Sequence, residues 1–216
     1  MGSHLPPLSF GARPEDAKAL CVFVHGRTQS PEAMVEQILG HLTVTGIAYI
    51  LPRADGNQWY AARATDPLTD ATRGELDVSL AYLRGIVDGF IDAGQADKPL
   101  LIGGFSQGAC LTMEYAMRFG PWRGAMANLT GCRVGQAHDD RSFCDLDGMP
   151  VYLTGSDADP WIPVHAFAEA THALGKARAK LRCDLFPGRE HKASGAEVAA
   201  IDAMLADLAD GKLPFA

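Results

Sequence analysis

Short runs of uninterrupted hydrophobic residues alternate along this chain with segments whose apolar positions recur at helical spacing. The runs at 20–24, about 47–51, 100–102, 125–130 and 151–154 have strand length, and 179–186, alternating with charged residues, reads as the last strand. Several of them lack polar alternation, as strands buried on both faces do. Between them, Ser30 is placed as an N-cap, with Pro31 at the first helical position and Glu32 in the first turn. Thr72 and Glu75 form a capping-box pattern that predicts a helix start. Leu76, Leu80, Leu83, Val87 and Phe90 then fall on one helical face, and Gly94 suits the stop. Residues 107–119 and 163–174 predict two further helices, the second ended by Gly175. Ser194 and Glu197 form a second capping box, followed by Val198, Ile201, Leu205 and Leu208 on one face. Alternating strands and helices predict an α/β fold with a mostly parallel central sheet and helices on both faces. Residues 52–71 and 131–148 remain as long irregular segments, where functional loops concentrate.

Composition narrows the function classes. With 216 residues the chain suits one domain, and no linker or repeat divides it. Hydrophobic residues at 47% and charged residues at 21% exclude disorder as the main state. A formal net charge of -7 argues against nucleic acid as partner, which needs a basic face. The longest stretch free of Asp, Glu, Lys and Arg, residues 37–52, is too short to span a bilayer, so no stable membrane insertion is expected. The N-terminal residues 1–4 read as an expression scar, and residues 1–10 lack the basic start and apolar run of a secretory signal, so none is expected. The five cysteines are odd in number and form no CxxC pair. Cys21 and Cys110 lie in apolar runs, so free buried thiols in a reducing, cytoplasmic compartment are expected. A Cys132–Cys144 bridge or a zinc site is the weaker alternative.

Gly104-Phe105-Ser106-Gln107-Gly108 matches G-x-S-x-G, with an apolar strand before it and a helix after it. A serine on such a turn is lifted above the sheet, and the flanking glycines make room where a Cβ would clash. A serine hydroxyl needs a base, and in this architecture the chain order is Ser, acid, His. His191 follows the last strand and precedes the final capped helix, which makes it the expected base; His165 is the alternative. The acid belongs on the loop after the preceding strand, where Asp157 and Asp159 both stand. Asp159 is the favoured orienter, and either aspartate could instead cap the next helix. Asp157, Asp159 and His165 also make a metal reading conceivable, but they match no metal-binding pattern, so no metal and no cofactor are expected. The oxyanion requires two N–H donors, assigned to the backbones of Gln107 and Arg27. Trp59, Tyr60 and Trp161 are candidates to line the acyl pocket, with ordinary packing as the competing role. Lys176, Arg178, Lys180 and Arg182 form a basic run that reads as a solvated face or edge protection, with an anionic contact as the alternative.

The chain resembles the phospholipase/carboxylesterase family of small α/β-hydrolases, which includes the acyl-protein thioesterases. The resemblance rests on Phe23-Val24-His25-Gly26, Trp59-Tyr60, Gly103 to Ala109, Leu129-Thr130-Gly131, Gly155 to Pro163 and the His191 loop, in family order. It implies an α/β-hydrolase fold without a large lid domain and the triad Ser106, Asp159 and His191. There are departures. Thr28 stands where many members carry glycine, Gly155-Ser156 stands where thioesterases often have His-Gly, and the His191 loop is more charged than is common. These departures resemble the bacterial esterase branch more than the thioesterases.

The function expected from these residues is that of a serine carboxylesterase acting on short-to-medium acyl esters through an acyl-enzyme. An acyl-protein thioesterase or lysophospholipase is the first alternative, because the same triad serves both. A non-catalytic binding module on a hydrolase fold is the second. The expected partners are a small-molecule ester and, as an open question, a second copy in a homodimer.

Overall fold

The computed structural model describes residues 4–215. Twelve main elements follow one another: β1 (Leu5–Gly11), β2 (Ala19–Val24), α1 (Pro31–Gln37), β3 (Ile47–Arg53), α2 (Asp70–Asp92), β4 (Leu100–Phe105), α3 (Gln107–Phe119), β5 (Gly124–Leu129), β6 (Pro150–Ser156), α4 (Val164–Lys176), β7 (Lys180–Phe186) and α5 (Gly195–Ala209). The strands form one seven-stranded sheet in the order β1-β3-β2-β4-β5-β6-β7. All pairings are parallel except β1 with β3. This is the predicted α/β architecture, a mostly parallel sheet with helices on both faces, and among the described residues there is no large extra domain.

The uninterrupted apolar runs are explained by burial on both faces. In β2, Leu20, Val22 and Val24 join a core with α2, α3 and α4, while Ala19, Cys21 and Phe23 face a second core with α1 and α5. Each fully buried Leu, Ile or Phe contributes about 1.5–3 kcal/mol. All six residues of β2, β4 and β5 are buried, so the C-terminal ends of these strands form a fixed rim for the site.

Several boundaries differ from the sequence expectation. The N-cap of α2 is Thr69, whose side chain accepts from the Thr72 N–H, and not Thr72. Glu75 is drawn away to accept the Ala61 N–H at 2.8 Å, so no capping box forms there. Gly175 lies inside α4; the left-handed position after the helix is Arg178, φ 57. Arg178 is held there by Asp145 and Asp147, 2.9 and 3.0 Å away, so ion pairing replaces the usual glycine. Strand β1 is not among the predicted strands, and it carries Pro6 and Pro7, which interior strands exclude. It sits at the sheet edge, with a register shift between Leu5 and Leu8, where prolines are tolerated. The expectation for residues 1–3 lies outside the described residues. His4, set aside with them as a scar, packs between Trp59 and Tyr82 and lies 3.0 Å from Ser79 Oγ. The cysteines are free; Cys132 stands 3.9 Å from Cys110 Sγ, and Cys144 instead donates to Gly120 O. Among the described residues no helix is long and apolar enough to cross a membrane.

Candidate active site

Ser106 occupies the turn between β4 and α3 with φ 55 and ψ -120, a conformation that costs a non-glycine residue about 1–3 kcal/mol. The surrounding glycines make that turn possible. A Cβ on Gly108 would lie 2.2 Å from Val24 O, and one on Gly104 would lie 2.7 Å from the Gly108 carbonyl carbon. A Cβ on Gly26 would reach to 3.2 Å from Ser106 Cβ, so the loop after β2 approaches the serine at backbone distance.

His191 Nε2 lies 2.8 Å from Ser106 Oγ, and its Nδ1 lies 2.7 Å from Asp159 Oδ2. An ionised carboxylate only accepts, so Nδ1 carries the proton and Nε2 is left to accept from the serine hydroxyl. The Asp159 side chain has no solvent exposure. Burial alone would raise its pKa, but hydrogen bonds from His191 and from the N–H groups of Ile162 and Trp161 outweigh burial and hold it below the ordinary value. Asp157 goes elsewhere: its Oδ1 accepts the Gly188 N–H at 2.6 Å. His165 is exposed on α4 and lines a cleft of about 350 Å³ with Thr65, Arg133, Gln136 and Glu169. Among the described residues, no three or more His, Cys, Asp or Glu side chains are grouped as a metal site would require.

The two assigned oxyanion donors follow the serine and the close-approaching Gly26 directly in the chain. The Gln107 N–H opens helix α3, where the backbone has no intrahelical acceptor and the helix dipole favours negative charge. Arg27 follows Gly26 on the facing loop. Its guanidinium donates to the carbonyls of Tyr60, Ala61 and Ala62. The Gln107 side chain reinforces the same segment, accepting the Trp59 N–H at 3.1 Å and donating to Tyr60 O at 2.7 Å. Beneath them, His25 Nε2 accepts the Ala54 N–H at 3.2 Å, so Nδ1 is the protonated nitrogen and donates to Gly26 O at 2.8 Å. Burial depresses the His25 pKa, which keeps this strut neutral.

Trp59 and Tyr60, expected to line the acyl pocket, are instead 2% exposed each and belong to the core. The Trp59 indole donates to His25 O at 2.8 Å, so the pair buttresses the loop of Gly26 and Arg27. Their aromatic surface is too valuable to the core to face solvent, and a polar tip bonded inward is what buried tryptophan favours. Trp161 is 62% exposed at the rim, two residues from Asp159. Sequence reasoning assigned the backbones of Arg27 and Gln107 but missed the work of their side chains. A long side chain beside a glycine-rich turn was the available signal.

A family model described as phospholipase/carboxylesterase matches residues 11–208. The chain belongs to that family. Among solved structures, a phospholipase/carboxylesterase from Dyadobacter fermentans is 28% identical, with a TM-score of 0.87 over 95% of this chain and 98% of that one. The esterase PE8 is 20% identical, with a TM-score of 0.76 over 94% of this chain and 98% of that one. An acyl-protein thioesterase from Zea mays is 18% identical, with a TM-score of 0.68 over 94% and 99%. The last two likenesses establish the fold alone. Among curated proteins none matches the chain. Family and fold together make this chain a member of a hydrolase family of esterases.

Proposed function

We propose that the protein is a serine carboxylesterase that hydrolyses short-to-medium acyl esters through an acyl-enzyme. Ser106 Oγ attacks the ester carbonyl while His191 Nε2 takes its proton. Asp159 stabilises the imidazolium, and the backbone N–H groups of Arg27 and Gln107 hold the oxyanion. His191 then protonates the leaving alcohol, and water repeats the sequence on the acyl-enzyme. The reading is carried by the unbroken chain of contacts from Ser106 through His191 to Asp159, at 2.8 and 2.7 Å. Exposed Trp161 is the aromatic side chain available to a substrate at the rim. Among the described residues no large extra element follows the strands to roof Ser106, which supports limited acyl length.

The test is labelling of Ser106 by a fluorophosphonate, together with p-nitrophenyl esters and matching thioesters of graded chain length. Wild type labels and Ser106→Ala does not, with kcat reduced about a million-fold and folding intact. Each buried methylene adds about 0.8 kcal/mol, so kcat/KM rises with chain length until the site is filled. A plateau is expected before about ten carbons for a shallow cleft. A rise that continues to palmitoyl chains, or a preference for thioesters, turns the reading to a lysophospholipase or thioesterase. Absence of labelling leaves a binding module.

A further inference from the structure

His191 lies on an exposed connection between β7 and α5: Pro187, Gly188, Glu190 and Lys192 all face solvent. Such a segment has little apolar packing of its own, yet its histidine must meet two partners at once. The exception in the loop is Arg189, whose side chain is only 7% exposed. Its Nη1 donates to the carbonyls of Glu190 and Lys192, the residues on either side of His191. Its Nη2 donates to Thr130 Oγ1 at 2.7 Å, at the C-terminal end of β5. The same Nη2 stands 3.7 Å from Glu197 Oε1, a carboxylate with no exposure. Glu197 is fixed in turn by Thr154 Oγ1 at 2.5 Å and by the Ser194 N–H and hydroxyl at 2.7 and 2.8 Å. On the main chain, Ser156 Oγ donates to Arg189 O at 2.7 Å.

A buried guanidinium needs a counter-charge and several acceptors, and this one finds both in the sheet on one side and the histidine loop on the other. We infer that Arg189 is a positioning residue: its guanidinium clamps the backbone on both sides of His191 against Thr130 and Glu197 and so sets the imidazole between Ser106 and Asp159. The inference rests on the esterase reading for its kinetic consequence, though not for its geometry. A fork of N–H donors is required, because an ammonium cannot reach Thr130 and two carbonyls together.

The test compares Arg189→Ala, Arg189→Lys and Thr130→Val with wild type on the best p-nitrophenyl ester. Misplacing a catalytic group by about 1 Å costs about 100-fold, so Arg189→Ala is expected to lose about that factor in kcat with KM nearly unchanged. Arg189→Lys loses less, and added guanidinium ion restores part of the Arg189→Ala rate but does nothing for wild type. The proton NMR signal of the His191 Nδ1–H bonded to Asp159 is expected to broaden or vanish in Arg189→Ala, a readout that needs no substrate. Where Arg189→Ala does not fold, Thr130→Val decides: it should lose kcat several-fold at constant KM. Wild-type kcat and an unchanged histidine signal in whichever folded variant is measured overturn the inference. A loss of kcat that only tracks the folded fraction, without guanidinium rescue, overturns it as well. If wild type hydrolyses no ester and takes no fluorophosphonate, the esterase reading fails, and the histidine signal alone then decides the clamp.

Discussion

Asp157 Oδ1 accepts the Gly188 N–H at 2.6 Å, while Asp159, two residues on, accepts from His191 at 2.7 Å. Two carboxylates on one loop thus hold two points of the same facing segment, one at its backbone and one at its imidazole. Asp159→Asn keeps the shape but can donate where Nδ1–H must donate, which disfavours the required tautomer. A fall in kcat of about 10,000-fold is expected. Asp157→Asn keeps an acceptor oxygen for Gly188, so a loss under about tenfold is expected, since a neutral hydrogen bond contributes about 0.5–1.5 kcal/mol. Steady-state kinetics on the two variants check the contrast; equal losses would remove the distinction.

The elbow around Ser106 depends on absent Cβ atoms. Gly108→Ala sets a Cβ 2.2 Å from Val24 O and 2.5 Å from His25 O, backbone atoms at the end of β2 and in the loop after it. It is expected to cost about 1–3 kcal/mol or more and to abolish labelling of Ser106. Gly85→Ala is the control: it is an exposed position inside α2 with nothing within 4 Å. That change should stabilise the protein by up to about 1 kcal/mol. Urea unfolding midpoints of the two variants should therefore move in opposite directions.

Thr28 adopts φ 62, an outlier for a β-branched residue, on the loop that carries Gly26 and Arg27. Its N–H donates to Asn57 O at 2.8 Å and its hydroxyl to Arg27 O at 2.6 Å, and these contacts hold the strained backbone. In Thr28→Gly the strain of about 1–3 kcal/mol is released, against about 0.5–1 kcal/mol of added chain entropy. A rise in Tm of about 2–4 °C is expected, measured by calorimetry. A fall in Tm would mean that the hydroxyl contact outweighs the strain.

Acid should weaken the fold in two stages. His25 has a folded pKa depressed by burial below 6.5, so between the two values the unfolded chain binds the proton and the folded chain does not. Stability therefore falls as pH drops below about 6.5, until the folded pKa is reached. Asp159 has a folded pKa below 3.8, so its contribution is present above that value and lost as pH falls through the folded pKa. Urea midpoints followed downward from neutral pH should show both declines. His25→Gln should flatten the first and Asp159→Asn the second; unchanged curves would assign the acid response to other groups.

Much of the fold was legible because it is local. The bounds of α3, Gln107–Phe119, follow from the turn before it and the periodicity within it. The Ser30 cap and the Ser194–Glu197 capping box lie within single helical turns, and both form. The candidate site residues Ser106, Asp159 and His191 were legible from motif and chain order, although their meeting depends on strands far apart in sequence.

What the sequence by itself determined was the alternation of elements, the two-sided burial of the inner strands and the glycine-bounded turn at Ser106. Each is set by residues within a few positions of one another, where side-chain period and backbone sterics act directly. Tertiary structure alone decided the rest. Trp59 was open to either role until its indole met His25 O, 34 residues away, and became a buttress rather than a pocket wall. Glu75 had a capping role in reach and lost it to the Ala61 N–H. Pro6 and Pro7 entered a strand because β3 leaves them an edge with room for a bulge. Arg189 stands in a charged loop, and its burial depends on Thr130, 59 residues earlier. A polar side chain with several available partners takes the one that leaves fewest buried groups unpaired, and that choice exists only once the sheet has brought distant residues together.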